Sequence, residues 1–229
     1  MRKEELKGKV ESRILDMTVD YPNVTNLCYE AKRYGFVAVQ IFPCMIELCQ
    51  DVLEGSDVAI NSVISYPHGG FTIEQKAAEI REVVSLGVQE VEVVFNTREA
   101  KSHHWDYIRR EMEACVKAAE KKALVKMIIE IECLTDEEAV EVCKIAVETG
   151  VDYIVTSTGL YHALDENHED ILLVANKKDV SLIKSVVGDK VKIQAQGYIS
   201  TPEIAAEVFE AGADRITTEF AKEVYLACE

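Results

Sequence analysis

A repeating unit organises the hydrophobic and polar positions of the chain. An amphipathic segment ends in glycine, and a short strand-like run rich in Val and Ile follows, with junctions at Gly35, Gly87, Gly150 and Gly212. A glycine there suits the left-handed cap that ends a helix. Further strand-like runs cover 12–18, 58–65, 124–132 and 190–196. The pattern predicts eight strands that alternate with helices.

The predicted helices have recognisable starts. Thr72 and Thr135 precede amphipathic segments, and Thr201 precedes a proline at a first helical position. Alternation of strands and helices implies a parallel sheet, and eight units imply a closed (β/α)8 TIM barrel. A doubly wound open sheet is the alternative, but the chain has no G-x-G-x-x-G or Walker sequence. Residues 1–229 therefore predict one barrel domain.

Composition narrows the classes of partner. The chain has 229 residues, 48% of them hydrophobic, and a formal net charge of −16. Such an acidic chain argues against nucleic acid or an anionic membrane as partner. The charged first residues predict no signal peptide, and no apolar run is long enough for a membrane span. The seven cysteines form no C-x-x-C pair, which favours reduced thiols in the cytoplasm.

Strand parity predicts an unusually polar barrel interior. Alternate residues of a barrel strand point inward, and functional groups collect at the strand carboxyl ends. The inward set predicted by this parity is Asp16, Thr18, Glu92, Asn96, Lys126, Glu130, Ser157, Gln194 and Gln196. Ionisable groups inside a barrel are costly unless they are paired or serve a function. Acids and a lysine facing one axis favour a functional site over a structural polar network.

Several motifs resemble those of the deoxyribose-phosphate aldolase family. The matching stretches are LDMT (15–18), EAKRYGFVAVQIFPC (30–44), VISYPHGG (63–70), EVEVVFN (90–96), VKMIIEIECLTDEE (125–138), TSTG (156–159) and EAGADRI (210–216). The resemblance implies a (β/α)8 barrel that cleaves or forms a carbon–carbon bond through a lysine Schiff base, without a metal or other cofactor. It also implies deoxyribose 5-phosphate, glyceraldehyde 3-phosphate and acetaldehyde as substrates, and a homo-oligomer.

The chain departs from the family at both catalytic lysines. The family's Schiff-base lysine precedes TSTG, where this chain has Val155, and its activating lysine matches Gln194 on the predicted seventh strand. Lys192 keeps the same parity but lies about two strand rises (~6.6 Å) deeper. We therefore expect ordinary cleavage of deoxyribose 5-phosphate to be absent or much reduced.

The family's phosphate-binding end is altered as well. Its Gly-Gly pair becomes Gly197-Tyr198, its basic loop residue becomes Ser200, and its last loop becomes TTEF (217–220). A phosphate needs unobstructed backbone N–H donors, and the carboxylate of Glu219 repels a dianion. These changes predict a smaller, uncharged or differently shaped ligand.

Other functional positions of the family are retained. Lys126, Asp16 and Glu92 are the predicted catalytic residues, Glu92 replacing a family aspartate. Facing two acids, Lys126 is expected to stay protonated and to orient a substrate oxygen or stabilise negative charge. The predicted ligand-binding residues are Thr18, Asn96, Thr156, Ser157, Gly159, Gln194, Gln196 and Gly197.

Three functions remain open from the sequence. The first is a repurposed carbon–carbon lyase for a small carbonyl or sugar-derived ligand that still uses an amine, with Lys126 as nucleophile or electrophile. The second is an inactive homologue that binds a metabolite or a partner, with the acids and Lys126 as an ion-pair network. The third is a metal-dependent lyase, which the histidines do not favour because none has the spacing of a metal pair. These are His68, His103, His104, His162 and His168.

Overall fold

Ten strands and ten α-helices follow one another in the part of the chain that the structure describes. The computed structural model describes residues 1–160 and 176–229, and the backbone of 162–164 and 170–172. The strands are β1 (Val10–Arg13), β2 (Ala38–Ile41), β3 (Ala59–Ile64), β4 (Glu90–Val94), β5 (Leu124–Ile128), β6 (Tyr153–Val155), β7 (His162–Leu164), β8 (Asp170–Leu172), β9 (Lys192–Gln196) and β10 (Arg215–Thr218). The helices are α1 (Lys3–Leu6), α2 (Tyr21–Tyr34), α3 (Ile46–Leu53), α4 (Ile73–Ser85), α5 (Thr97–Lys101), α6 (Trp105–Ala118), α7 (Asp136–Thr149), α8 (Lys177–Val187), α9 (Pro202–Glu210) and α10 (Ala221–Ala227).

Eight of the strands close into a parallel barrel. Strands β1 to β6 pair in chain order, β6 pairs with β9, and β10 closes the ring between β9 and β1. The predicted (β/α)8 barrel is thereby confirmed. Strands β7 and β8 instead form an antiparallel hairpin that the strand count from sequence did not include. The predicted position of His168 lies outside the described residues.

The helix boundaries follow the capping signals in the sequence. The side chain of Thr72 accepts a hydrogen bond from the Gln75 N–H, and Thr135 and Thr201 cap α7 and α9 in the same way. Gly35 and Gly150 end α2 and α7 in the left-handed conformation. Because these bonds satisfy the free N–H groups of the first turn, local sequence alone fixes where these helices begin.

The hydrophobic core lies between the barrel and its helices. Outward-facing strand residues such as Val91, Met127 and Ile154 are fully buried against helical residues such as Ile80 and Met112. A second, small cluster of Val94, Ile128 and Val155 lies inside the barrel. Alternation along each strand therefore separates an apolar outer layer from a mostly polar interior.

Candidate active site

A layer of four polar side chains crosses the barrel at the level of Lys126. The strand registers place Glu11, Asn61, Lys126 and Gln194 in this layer, one from every second strand. Lys126 Nζ donates to Glu11 Oε2 at 2.5 Å and to Gln194 Oε1 at 2.9 Å. Asn61 Nδ2 donates to the other Glu11 oxygen at 2.6 Å. All four side chains are buried.

Lys126 is held as a cation. Besides the Glu11 contact, its Nζ lies 2.5 Å from Glu90 Oε2, and Glu90 also pairs with Arg215 at 2.8 Å. The contact with Glu90 is ionic, since this oxygen accepts no hydrogen bond from the described residues. Burial alone would disfavour the charged amine, but the carboxylates of Glu11, Glu90 and Glu92 outweigh it and raise the pKa of Lys126. The expectation of a protonated lysine agrees with this geometry.

Glu92 lies one layer closer to the carboxyl ends of the strands. Its carboxylate accepts from Gln40 Nε2 at 2.5 Å, from Gln194 Nε2 at 2.8 Å and from Asn61 Nδ2 at 3.1 Å. Burial, and next the nearby carboxylate of Glu11, raise the pKa of Glu92 to about 7. A fully buried carboxyl with such a pKa gains or loses a proton near neutral pH, which suits acid–base chemistry.

The prediction that Asp16 and Thr18 point into the barrel is wrong. Strand β1 ends at Arg13, and both residues are exposed in the loop that follows. Asp16 Oδ1 accepts from the Thr18 N–H and hydroxyl, both at 2.7 Å, and these bonds lower the pKa of Asp16. A carboxylate that bonds the backbone two residues ahead forms a turn, which ends the strand. Asp16 therefore does not face Lys126.

Sequence reasoning missed the inward residues that replace them. The inward positions of β1 are Glu11 and Arg13, because the strand begins earlier than predicted. Gln40, Asn61 and Glu90 were missed as well, although alternating polar residues in runs otherwise rich in Val and Ile are a signal for them. The remaining member of the buried network is Arg215, whose guanidinium lies 5.0 Å from the centre of the Tyr153 ring.

The two positions at which the resemblance implies lysines are neighbours in the barrel. Val155 of β6 is paired in register with Gln194 of β9, and both are fully buried. Val155 packs with Val94 and Ile128, and Tyr66 covers this cluster. Lys192 is exposed near the amino end of β9, with its Nζ 5.5 Å from the centre of the Tyr153 ring. An apolar layer thus stands where the resemblance implies an amine.

The ends of β6 and β9 are joined by their own polar groups. Thr156 Oγ1 and Ser157 Oγ donate to the Gln196 carbonyl at 3.0 and 2.7 Å, and Gln196 N–H donates back to Thr156. The side-chain oxygen of Gln196 accepts from Gln40 at 3.3 Å. Gly159 approaches Gly197 so closely that a Cβ on Gly159 would lie 2.9 Å from the Gly197 Cα. These predicted ligand residues hold the strand ends together.

Asn96 lies at the end of β4, against helix α6. Its N–H donates to Glu111 Oε2 at 3.0 Å, and the other Glu111 oxygen pairs with Lys76 Nζ at 2.7 Å. Lys76 also donates to the Val94 carbonyl at 2.7 Å, so this fully buried ion pair fixes the carboxyl end of β4. The pair positions Asn96, whose Oδ1 is buried and accepts no hydrogen bond from the described residues.

Arg13 and Glu219 close one side of the barrel mouth. The Arg13 guanidinium, only 5% exposed, donates to Glu219 at 2.9 Å and to the Thr158 carbonyl at 2.6 Å. The hydroxyl of Tyr66 donates to the same carbonyl at 3.1 Å. The Arg13 charge is thus neutralised by Glu219, at the end where the resemblance implies a phosphate. Beside this pair, the rings of Tyr198 and Phe220 meet edge to face, with centroids 4.7 Å apart.

A cavity opens on the other side of the mouth. It measures about 390 Å³ and lies among the loops that follow β3, β4 and β5. Its lining residues are Pro67, His68, Thr97, Arg98, Lys101, Glu130 and Cys133. Glu130 has a positive φ of 43° and accepts a hydrogen bond from the Thr158 N–H. Burial raises the pKa of the Glu130 carboxyl.

The histidines and acids of the described residues do not converge on a common metal centre. Across residues 1–160 and 176–229, no group of three or more His, Cys, Asp or Glu side chains could hold a metal ion. His104 instead pairs with Glu99 at 2.7 Å, and His103 stacks on Trp105. No helix in these residues is both long and apolar enough to cross a bilayer.

Enzymes with a (β/α)8 barrel place their active sites at the carboxyl ends of the strands, where the cavity and the Arg13–Glu219 pair lie in this chain. Comparison with known proteins identifies the family. The model of the DeoC/LacD family aldolases matches residues 6–187, and the chain belongs to this family, whose members are lyases.

Curated relatives match over nearly the full length. The deoxyribose-phosphate aldolase of Thermoanaerobacter pseudethanolicus is 38% identical over 212 residues, covering 90% of this chain and 91% of the relative. That of Clostridium perfringens strain 13 is 35% identical over 216 residues, covering 94% and 92%. Among solved structures, the deoxyribose phosphate aldolase of Aeropyrum pernix, described as a tetramer, superposes with a TM-score of 0.84 at 26% identity, covering 98% and 91%.

Proposed function

We propose that this protein is a carbon–carbon lyase, or a related enzyme, for a small carbonyl or sugar-derived compound, and that it works without a lysine imine. Cleavage of deoxyribose 5-phosphate is then absent or much reduced. The observation that carries the proposal is the apolar cluster of Val94, Ile128 and Val155 at the position of the family's Schiff-base lysine. The family and its curated relatives support the reaction class.

Lys126 does not substitute for the missing amine. Imine formation needs a neutral amine whose lone pair attacks a carbonyl carbon. The Lys126 amine is fully buried and contacts Glu11 and Glu90 at 2.5 Å each. Loss of its proton would leave two buried carboxylates without that partner, which is costly. Val155 also lies between this amine and the strand carboxyl ends.

Groups at the barrel mouth suit an aldol cleavage without an imine. In such a cleavage a base takes the hydroxyl proton, the carbon–carbon bond breaks, and its electron pair passes to the carbonyl oxygen as an enolate. The enolate carbon then takes up a proton. Glu130, with a carboxyl whose pKa is raised, suits the proton transfers, and the Arg13 guanidinium, which has N–H groups beyond those bonded to Glu219 and Thr158, suits stabilisation of the oxygen.

A second candidate is a binding protein without catalytic activity. The ion pair of Arg13 with Glu219 and the bonds to Thr158 fill part of the mouth. Below it, Lys126 and Glu92 have their hydrogen bonds satisfied by protein groups. An interior satisfied by its own side chains is what a structural network provides.

Turnover and trapping assays test the proposal. Purified protein is incubated with deoxyribose 5-phosphate while glyceraldehyde 3-phosphate is followed, and with acetaldehyde plus borohydride before mass spectrometry. We expect no turnover at aldolase rates and no reduced adduct on Lys126. The matched control is Val155→Lys, which returns an amine to the family position and is expected to be trapped. Ordinary turnover, or an adduct on Lys126 in the unaltered protein, would overturn the proposal.

A substrate panel separates the two candidates. Small hydroxyaldehydes, hydroxyketones and sugar derivatives are incubated with the protein, and carbonyl products are followed by mass spectrometry. Cleavage or condensation of any member supports the lyase. Saturable binding without turnover across the panel supports the binding protein instead.

We also propose that the protein is a homo-oligomer that works in the cytoplasm. The tetrameric relative supports the first point, and exposed apolar side chains such as Tyr29 and Leu226 are available for an interface. The free thiols of Cys28, Cys49 and Cys143 support a reducing compartment. Analytical ultracentrifugation tests the assembly, and a single species at the monomer mass would contradict it.

A further inference from the structure

The cavity beside the barrel mouth concentrates positive charge in an acidic protein. Arg98 and Lys101 line it together with the imidazole of His68, and Glu130 is the acid that lines it. Elsewhere the chain carries an excess of acid, with a formal net charge of −16. A concave surface lined by cations attracts small anions and raises their local concentration.

Arg98 is available to a ligand. It is exposed, and its guanidinium forms no ion pair with any side chain in the described ranges. Lys101, by contrast, pairs with Glu138 at 2.8 Å. An arginine presents a planar fork of N–H donors that fits carboxylates and phosphates in a bidentate manner. Arg98 is therefore the group best suited to an anionic ligand here.

Glu130 supplies a second recognition element at the buried end of the cavity. Its carboxyl is 6% exposed, and one oxygen accepts the Thr158 N–H. Its backbone has φ 43° and ψ 58°, a left-handed conformation that is unfavourable for a residue with a side chain. Strained conformations of this kind collect at functional sites. A carboxylate oxygen of Glu130 can accept a hydrogen bond from a ligand hydroxyl.

The position of the cavity favours a functional role. It lies at the carboxyl ends of three consecutive barrel strands, where barrel proteins place their sites. Two other cavities lie at the amino ends of strands, one lined by Ala59 and Gln89 and one by Leu124 and Asp152. At the other side of the mouth, Glu219 neutralises Arg13. Arg98, unlike Arg13, thus has no acidic partner among the described side chains at the mouth.

We propose that this cavity binds a small hydroxylated anion, with Arg98 on its anionic group and Glu130 accepting a hydrogen bond from one of its hydroxyls. We take the ligand to be sugar-derived, and this identity rests on the proposed function. The existence of an anion site at Arg98 does not depend on it. The ligand's binding site lies over β3 to β5 and is therefore distinct from the loops after β9 and β10. Phosphorylated and carboxylated sugar derivatives both carry the anionic group and the hydroxyls that such a site requires.

Calorimetric titration of the full-length protein tests the site without requiring turnover. The probes are inorganic phosphate, glycerol 3-phosphate and D-glycerate. We expect at least one of the two hydroxylated anions to bind, and Arg98→Ala to weaken that binding about tenfold, the value of one charged hydrogen bond. Glycerol 3-phosphate and D-glycerate distinguish the phosphorylated from the carboxylated source.

Two further variants make the result specific. Glu130→Gln keeps an acceptor for the Thr158 N–H but removes the carboxylate offered to a ligand hydroxyl, so we expect the hydroxylated anions to lose affinity relative to inorganic phosphate, which has no such hydroxyl to place there. Arg81→Ala is the matched control, since Arg81 is exposed on α4 and pairs with Glu74. The proposal is overturned if neither hydroxylated anion binds at millimolar concentration, or if Arg98→Ala and Arg81→Ala have the same effect. Binding with no turnover would confirm the site while leaving the lyase to its own test.

Discussion

Replacement of Lys126 tests whether this residue is a structural cation. In Lys126→Met the side chain keeps a similar length, but Glu11 and Glu90 lose a contact at 2.5 Å each, and Gln194 loses a donor at 2.9 Å. Glu90 keeps its ion pair with Arg215 at 2.8 Å, whereas Glu11 keeps only the Asn61 donor. Breaking a buried ion pair on one side costs about 3–5 kcal/mol, so we expect the free energy of unfolding to fall by about 4 kcal/mol at pH 7.

The loss of unfolding free energy in Lys126→Met should increase with rising pH. Without the cation, Glu90 loses one of the two charges that lower its pKa, so the buried carboxyls around the replaced side chain hold a proton more readily in the folded variant than in the unfolded chain. The free energy of unfolding falls with rising pH wherever the folded state holds more protons than the unfolded chain. The destabilisation is therefore expected to be smaller at pH 5 than at pH 7, by about 1.4 kcal/mol for each unit of pKa shift.

Urea unfolding followed by circular dichroism measures both effects. Lys192→Met is the control, because Lys192 is exposed and also lies over the Tyr153 ring, at 5.5 Å. We expect this control to cost less than about 1 kcal/mol. Adding Glu11→Gln to Lys126→Met should restore part of the stability, since it removes the unpaired charge. If Lys126→Met is as stable as the unaltered protein at pH 7, Lys126 is not a structural cation.

Two further predictions concern Glu92 and Gly69. Burial, with the Glu11 carboxylate, raises the pKa of Glu92 to about 7 from an unfolded value of 4.5. Between these two pH values the folded state holds a proton that the unfolded chain has released, so the free energy of unfolding falls as pH rises. Glu92→Gln should remove a fall of about 3 kcal/mol between pH 4.5 and pH 8 in urea titrations, and an unchanged pH dependence would contradict this. A Cβ at Gly69 would overlap the Phe95 carbonyl, whereas one at Gly8 meets nothing within 4 Å, and both glycines have a positive φ. Gly69→Ala should therefore lower the free energy of unfolding by about 2 kcal/mol more than Gly8→Ala, and equal losses would refute the steric cause.

Short-range sequence signals were sufficient to predict the fold. Thr72 and Thr135 cap the helices that the sequence assigned to them, and Gly35 and Gly150 end helices in the left-handed conformation. These features depend on bonds between residues a few positions apart, so they can be recognised from sequence alone. The inward orientation of Glu92 and Lys126 followed from the same local alternation.

The first strand shows where such reasoning fails. The run 12–18 is apolar enough to predict a strand, yet the turn formed by Asp16 and Thr18 ends β1 at Arg13. A strand boundary that moves by a few residues changes which side chains reach the interior. The sequence therefore predicts that Asp16 faces Lys126, whereas the residue of β1 that contacts Lys126 is Glu11.

The sequence by itself determined the barrel and its family resemblance, which implies lysines at the positions of Val155 and Gln194. Tertiary structure decided what surrounds them. Glu11 bonds Lys126 across 115 residues of sequence, and Arg13 bonds Glu219 across 206. Such pairs arise because closure of the barrel brings distant strands to one axis, and no local pattern encodes which charges meet there. The raised pKa of Lys126 and the ion pair of Arg13 with Glu219 are consequences of that closure.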